Sequence, residues 1–329
     1  MTRRAVLFGF VAVALACGAR TPLAKPAHAD AGPTGQCVLY EETGTWLWDA
    51  GTWNAQSTTI PTPPECSPHA CGYVGTMVTV DGHIELVGTP AASDATVMET
   101  WLWTGDGWTQ QATSGAPPAR FVPAVASLGD SVVLFGGLVL GGSTFLDDTW
   151  VLHDGAWAPA APPSSPSARA FAGIAGLGSE AVLFGGADDS GSLGDTWIWN
   201  GSTWTLAPAT IAPAARSGAA MTADGDGIIL FGGCVAGGYT GCEDVGTPSA
   251  ETWRWDDATS WTLLHPTTSP SARTEAVAAS FQNGALLFGG LANPNESVTL
   301  GDTWTWDGTT WSAEIAASAA PGSAALGCN

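Results

Sequence analysis

A chain of 329 residues would ordinarily house two domains, but 43 Gly and 17 Trp against only 12% charged residues describe short strands and tight turns rather than helices. Apolar residues at 45% suffice for a core. Without the leader's Arg3 and Arg4, the 9 basic residues fall to 7 against 30 acidic ones, a net charge of −23, and no Lys follows Lys25. That balance excludes nucleic acid and anionic membrane surfaces as partners, since both require a basic patch.

Residues 1–17 read as an export signal. Arg3 and Arg4 make a positive start, and Ala5 to Ala16 is an apolar run of 12 residues, short of the roughly 20 that span a bilayer as a helix. Ala14-Leu15-Ala16-Cys17 resembles a bacterial lipobox, in which Cys17 would be lipidated and become the new N-terminus. Ala27-His28-Ala29 offers an ordinary A-x-A site 13 residues beyond the apolar run, so the lipobox is preferred. Residues 18–35 then form a linker and 36–329 the folded part. The expected address is the bacterial cell envelope, lipid-anchored at the outer membrane or surface, with a secreted or periplasmic protein as the alternative. Any membrane attachment would be through that lipid alone.

If Cys17 carries lipid, six Cys are left, and an even number in an exported protein favours disulfides. Cys66 and Cys71 are neighbours, as are Cys234 and Cys242, which leaves Cys37 and Cys328 near opposite ends. These spacings could also serve a metal, but no His lies at a matching distance from Cys234, and only His69 falls between Cys66 and Cys71. No metal and no cofactor is expected.

From Thr45 onward one pattern recurs. Trp46, Trp101, Trp150, Trp197, Trp253 and Trp304 each follow a Thr. Two residues on come Trp48, Trp103, Leu152, Trp199, Trp255 and Trp306, and then Trp53, Trp108, Trp157, Trp204, Trp261 and Trp311. Leu152 fills one of these places and all 17 Trp fill the others. Upstream of four of the T-W segments runs an apolar stretch ending in Gly-Gly (Val132 to Gly137, Ala181 to Gly186, Ile228 to Gly233, Ala285 to Gly290). Before that stands an Arg at 120, 169, 216 and 273, spaced as propeller blades are. Each unit divides into four short strands: one after the Arg, such as Ser217 to Met221; the apolar stretch; the alternating T-W-x-W segment; and a strand entered through a turn such as Asp307-Gly308. Such a sheet cannot bury both faces alone, but sheets stacked radially can, with Trp rings between them.

The double Gly, the preceding Arg and the spaced aromatics resemble the kelch repeat family and the related central domain of galactose oxidase. The resemblance covers nearly all of 36–328. It implies an all-β, six-bladed β-propeller of four-stranded kelch-type blades. The first blade lacks a first strand at its own start. Pro321-Gly322-Ser323-Ala324-Ala325-Leu326 looks like that strand, so the C-terminus is expected to close blade one and to bring Cys328 beside Cys37.

Acids precede the T-W segment at Glu99, Asp148, Asp195, Glu251 and Asp302, so Arg120, Arg169, Arg216 and Arg273 either pair with them or line the channel to hold an anion. Strand direction puts short turns on one face. The links from second to third strand (138–148, 187–195, 234–250, 291–302) and from blade to blade lie on the other. Long irregular loops on a rigid scaffold are where binding concentrates, and Phe145, Asp188, Asp189, Tyr239, Glu243 and Asp244 are its candidate residues. The Trp sets read as core.

Galactose oxidase binds copper through Tyr and His. Here three Tyr and five His are scattered, and no nucleophile elbow, zinc-protease or phosphate-loop motif appears. The reading is therefore a monomeric, non-enzymatic module for a protein, peptide or glycan. The alternative is a carbohydrate-active lyase, hydrolase or mutarotase using paired acids, and a third reading is a purely structural envelope protein.

Overall fold

The computed structural model describes residues 14–17, 37–41, 44–49, 52–56, 73–90, 95–139, 144–208, 210–237, 242, 246–256, 260–293 and 298–314. They contain six four-stranded antiparallel sheets, each with its strands in chain order from first to fourth. Blade 3 is representative: Ala124–Leu128, Ser131–Phe135, Thr149–His153 and Ala156–Ala160. Blades 4, 5 and 6 repeat it with second strands Glu180–Phe184, Gly227–Phe231 and Gly284–Phe288. Second strands read as unbroken apolar runs because both of their faces are covered, and Val132, Val133, Leu134 and Phe135 are all at most 1% exposed.

Blades 3 to 6 meet through the same parts each time. Phe135 and Val133 of blade 3 pack on Trp199 and Trp204 of blade 4, and Phe231 and Ile229 of blade 5 on Trp306 and Trp311 of blade 6. The fourth-strand Trp meets the preceding blade's Phe edge to face, with centroids 5.4 Å apart for Phe135–Trp204 and 5.5 Å for Phe231–Trp311. Such a pair contributes about 0.5–1.5 kcal/mol beyond its buried area. Its indole N–H donates to the Thr that opens the preceding blade's third strand: Trp204 to Thr149, Trp261 to Thr196 and Trp311 to Thr252, at 2.9–3.0 Å. Trp53 of blade 1 does the same to Thr303 of blade 6 and packs edge to face on Phe288. The ring is closed by the seam used elsewhere.

The Gly pairs have a steric cause. Gly136 has φ of 64°, and a Cβ there would lie 2.5 Å from the carbonyl oxygen of Arg169 in the next blade. The following Gly137 N–H donates to that same oxygen at 2.8 Å. Only Gly allows so close an approach at a positive φ. Where blade 2 has Thr89 in place of the second Gly, its hydroxyl donates to the Arg120 carbonyl at 2.9 Å instead.

Two expectations change. The strand placed at Ser217 to Met221 is split: Arg216–Ser217 pairs with Cys234–Val235, and the blade strand is Ala220–Asp224. Gly218, at φ of 63°, makes the break. In blade 1 the first-strand place, which the sequence reading gives to residues 321–326, is taken by Ala14–Cys17. Those residues pair antiparallel with Cys37–Glu41, with Cys17 opposite Cys37. An apolar segment free of Gly and Pro meets the needs of an inner strand as well as those of an export signal, and the sequence reading used it only for the second. Residues 321–328 lie outside the described residues, as do Cys66 and Cys71.

Candidate functional site

Each repeat Arg lies at the start of its blade with its guanidinium buried, and each is paired with the acid of its own blade, three of them by a two-pronged fork. Arg120 donates to Asp148 at 2.6 and 2.9 Å, Arg169 to Asp195 at 2.6 and 2.9 Å, and Arg273 to Asp302 at 2.6 and 2.8 Å. Arg216 reaches the longer Glu251 with one nitrogen, at 2.6 Å. Carbonyls take two further donors of each, in Arg120 those of Pro118 and Gly136. Every acid also accepts the indole N–H of the Trp two residues on, as Asp195 does from Trp197 at 2.6 Å. Burial alone would raise these carboxyls. The hydrogen bonds from Arg and Trp and the Arg charge outweigh it and hold Asp148, Asp195, Glu251 and Asp302 below their ordinary values. In Arg169 and Arg273 all five N–H donors are engaged, the last by the Ser167 and Ser271 hydroxyls, so neither has a donor left for a ligand in the channel.

The long links carry a secondary layer of small sheets. Arg120–Phe121 pairs with Leu138–Val139, Ala187–Asp188 with Gly191–Ser192, Cys234–Val235 with Thr247–Pro248, and Leu291–Asn293 with Val298–Thr299. Adjacent links also touch: the Ser192 N–H and hydroxyl both donate to the Gly237 carbonyl at 3.2 Å. A disulfide joins Cys234 to Cys242, and both cysteines are buried. This face is braced by ladder hydrogen bonds and a covalent staple, although it is built from loops.

The candidate residues fall on it unequally. Phe145 is half-buried and bridges to Leu138. Asp188 is half-buried, with its carboxylate capping its own turn through the Ser190 N–H at 2.7 Å. Asp189 is exposed. Tyr239, Glu243 and Asp244 lie outside the described residues. Two residues that sequence reading passed over are exposed on this face, Val97 at 46% and Val139 at 38%. Apolar residues in links are commonplace, so nothing in their sequence context marks them. Among the described residues, no group of three His, Cys, Asp or Glu is placed to hold a metal ion.

This architecture agrees with the comparisons. The family described as the KLHDC2/KLHL20/DRC7 Kelch-repeats domain matches residues 76–257, more than half of the chain. The chain belongs to the kelch-repeat family of β-propellers. Among solved structures it is similar to YjhT, with 13% identity and a TM-score of 0.65 over 85% of this chain and 95% of that one. At that identity the likeness shows the fold. No curated protein matches the sequence.

Proposed function

We propose that the protein is an exported kelch propeller, of the galactose oxidase central-domain type in scaffold, that acts as a binding module through its long-loop face. The observation that carries this reading is the bracing of that face. Three links each fold into a small sheet and a fourth pairs with Arg120–Phe121, one is stapled by Cys234–Cys242, and Val97 and Val139 stand exposed among them. Loops held rigid before contact lose less conformational entropy on binding. The partner is a protein, peptide or glycan that offers apolar surface to Val97 and Val139 and polar or cationic groups to Asp189.

Export is supported by the positive and apolar N-terminal segment ending at Cys17 and by the buried disulfide, since such bonds persist in oxidising compartments. Lipid on Cys17 would anchor the module at the envelope surface, and the processing that exposes Cys17 would remove Ala14–Ala16 from beside Cys37–Glu41, leaving the first-strand place of blade 1 to be refilled.

Glycan arrays and displayed peptide libraries, screened with wild type and with Val139→Asp and Cys234→Ser/Cys242→Ser variants, test the reading. A ligand retained by short-turn variants and weakened at least tenfold by the long-loop variants is the expected result. Turnover of chromogenic glycosides that is abolished by a single acid substitution would replace the binding module with a carbohydrate-active enzyme.

A further inference from the structure

Two departures from the repeat meet across the gap between blades 2 and 3. The second-strand position that faces the next blade is Val133 in blade 3, Val182 in blade 4 and Ile229 in blade 5, each at most 2% exposed. Blade 2 has Glu85 there, by the same register: Glu85 is opposite Leu102 as Val133 is opposite Val151. The residue across the gap is Trp199 for Val133, Trp255 for Val182 and Trp306 for Ile229. Across from Glu85 it is Leu152, the one place where the repeat loses its Trp. A carboxylate has replaced an aliphatic group, and a small side chain has replaced an indole, at the same spot.

The result is a cavity of about 160 Å³ lined by both residues. It is far larger than the roughly 10–15 Å³ that one water needs. The lower wall is apolar, made by Val80, Val132 and Leu152, and Asp130, His153 and Asp154 stand at the short-turn end. One oxygen of Glu85, Oε2, is buried without a hydrogen-bond partner. The His153 ring is already engaged, with Nδ1 at 3.2 Å from the Ser131 hydroxyl and 3.6 Å from Asp130, and Nε2 at 3.5 Å from Asp154. A buried carboxylate oxygen with no donor is costly, and this one faces a space that the other seams fill. An anion is excluded by the surrounding acids.

We propose that this cavity is a binding site for a primary ammonium on an aliphatic stem, either a lysine side chain of a partner or a free small amine. The methylenes lie against Val80, Val132 and Leu152, and the ammonium donates to Glu85 Oε2. The site lies apart from the long-loop face.

Titration calorimetry with n-butylammonium chloride, with n-butanol as the uncharged control and with a blocked lysine as the side-chain source, tests the proposal. Wild type should bind n-butylammonium saturably and n-butanol not at all. Glu85→Gln should weaken binding at least tenfold, equivalent to about 1.4 kcal/mol. Leu152→Trp restores the repeat residue and should abolish binding while keeping a cooperative melt. Blocked lysine binding as well as n-butylammonium assigns the site to a side chain, and n-butylammonium alone assigns it to a free amine. Equal binding of n-butanol, unchanged binding in Glu85→Gln, or no saturable heat in wild type would overturn the proposal. The Glu85→Gln comparison decides the matter even if Leu152→Trp does not fold.

Discussion

The indole N–H of Trp53 donates to the Thr303 hydroxyl at 2.9 Å across 250 residues of chain. It is the hydrogen bond that Trp204 makes to Thr149 and Trp311 to Thr252, placed where the last blade meets the first. Thr303→Val keeps the shape and removes the acceptor, leaving a buried N–H unsatisfied at a cost of about 1–3 kcal/mol. Denaturant unfolding should show that loss. Amide exchange should show the protection of blades 1 and 6 falling before that of blade 4.

The Arg–acid pairs hold the start of a blade to its own third strand. Asp195→Ala strands the buried Arg169 guanidinium, and we expect a loss of about 3 kcal/mol. That is the lower end of the range for a broken buried pair, because Asp195 is itself 32% exposed. The double variant Arg169→Met/Asp195→Ala should recover part of this loss in the same denaturation experiment. Single and double variants of equal stability would show that the pair carries no coupling.

Acid should weaken the ring through the same four groups. A carboxyl held below its ordinary value takes up its proton less readily folded than unfolded. Its stabilisation is therefore complete above the unfolded values, 3.8 for Asp148, Asp195 and Asp302 and 4.5 for Glu251. It is lost as pH falls from there through the lower folded values. The melting temperature should be flat from neutrality to about pH 5 and then fall toward about pH 2. A profile flat to the acid end would contradict these assignments.

Glu85 has the opposite sign. Burial raises its carboxyl above the ordinary 4.5, so its protonated form favours the fold, and that contribution is present below 4.5 and lost as pH rises through the higher folded value. Glu85→Val, which restores the aliphatic residue of the other blades, should raise the melting temperature at neutral pH. The gain should shrink in acid. Asp130, His153 and Asp154 line the same cavity and are present in both proteins.

Closure of blade 1 gives a fifth expectation, read by truncation. A chain that begins at Cys17 loses most of the strand Ala14–Cys17. If residues 321–326 can take that place, this chain melts cooperatively near the wild-type temperature. Further removal of 315–329 should then lower the midpoint, whereas the same removal from the full chain should not. A chain starting at Cys17 that fails to melt cooperatively would tie the fold to the N-terminal segment.

The blades were legible because every Trp serves the repeat, and a pattern repeated six times overrides local ambiguity. Ala14–Cys17 was not read as a strand of blade 1 because an apolar run beside arginines has two physical uses, export signal and inner strand, and sequence cannot rank them. The division at Gly218 was missed because a single positive φ leaves no trace in hydrophobic pattern. The Arg partners could be named, since charge of opposite sign recurs in step, but the choice between pairing and channel needed coordinates. Leu152 was visible as the one lapse in the Trp pattern, whereas Glu85 drew no notice because blade 2 lacks the Gly-Gly that marks the apolar stretch elsewhere. Only the register of the strands shows that they face each other.

From blade 2 through blade 6 and on to blade 1, the Trp–Thr seam runs in one rotational sense, with a hydroxyl offered forward and an indole backward. The position of the chain ends is therefore a choice among equivalent cuts, as in a head-to-tail ring of subunits. A circular permutant with its old ends spliced and new ones opened in the exposed stretch after Leu264 would inherit all six seams. The same geometry lets a gene encoding one wedge be duplicated or exchanged without inventing a new interface.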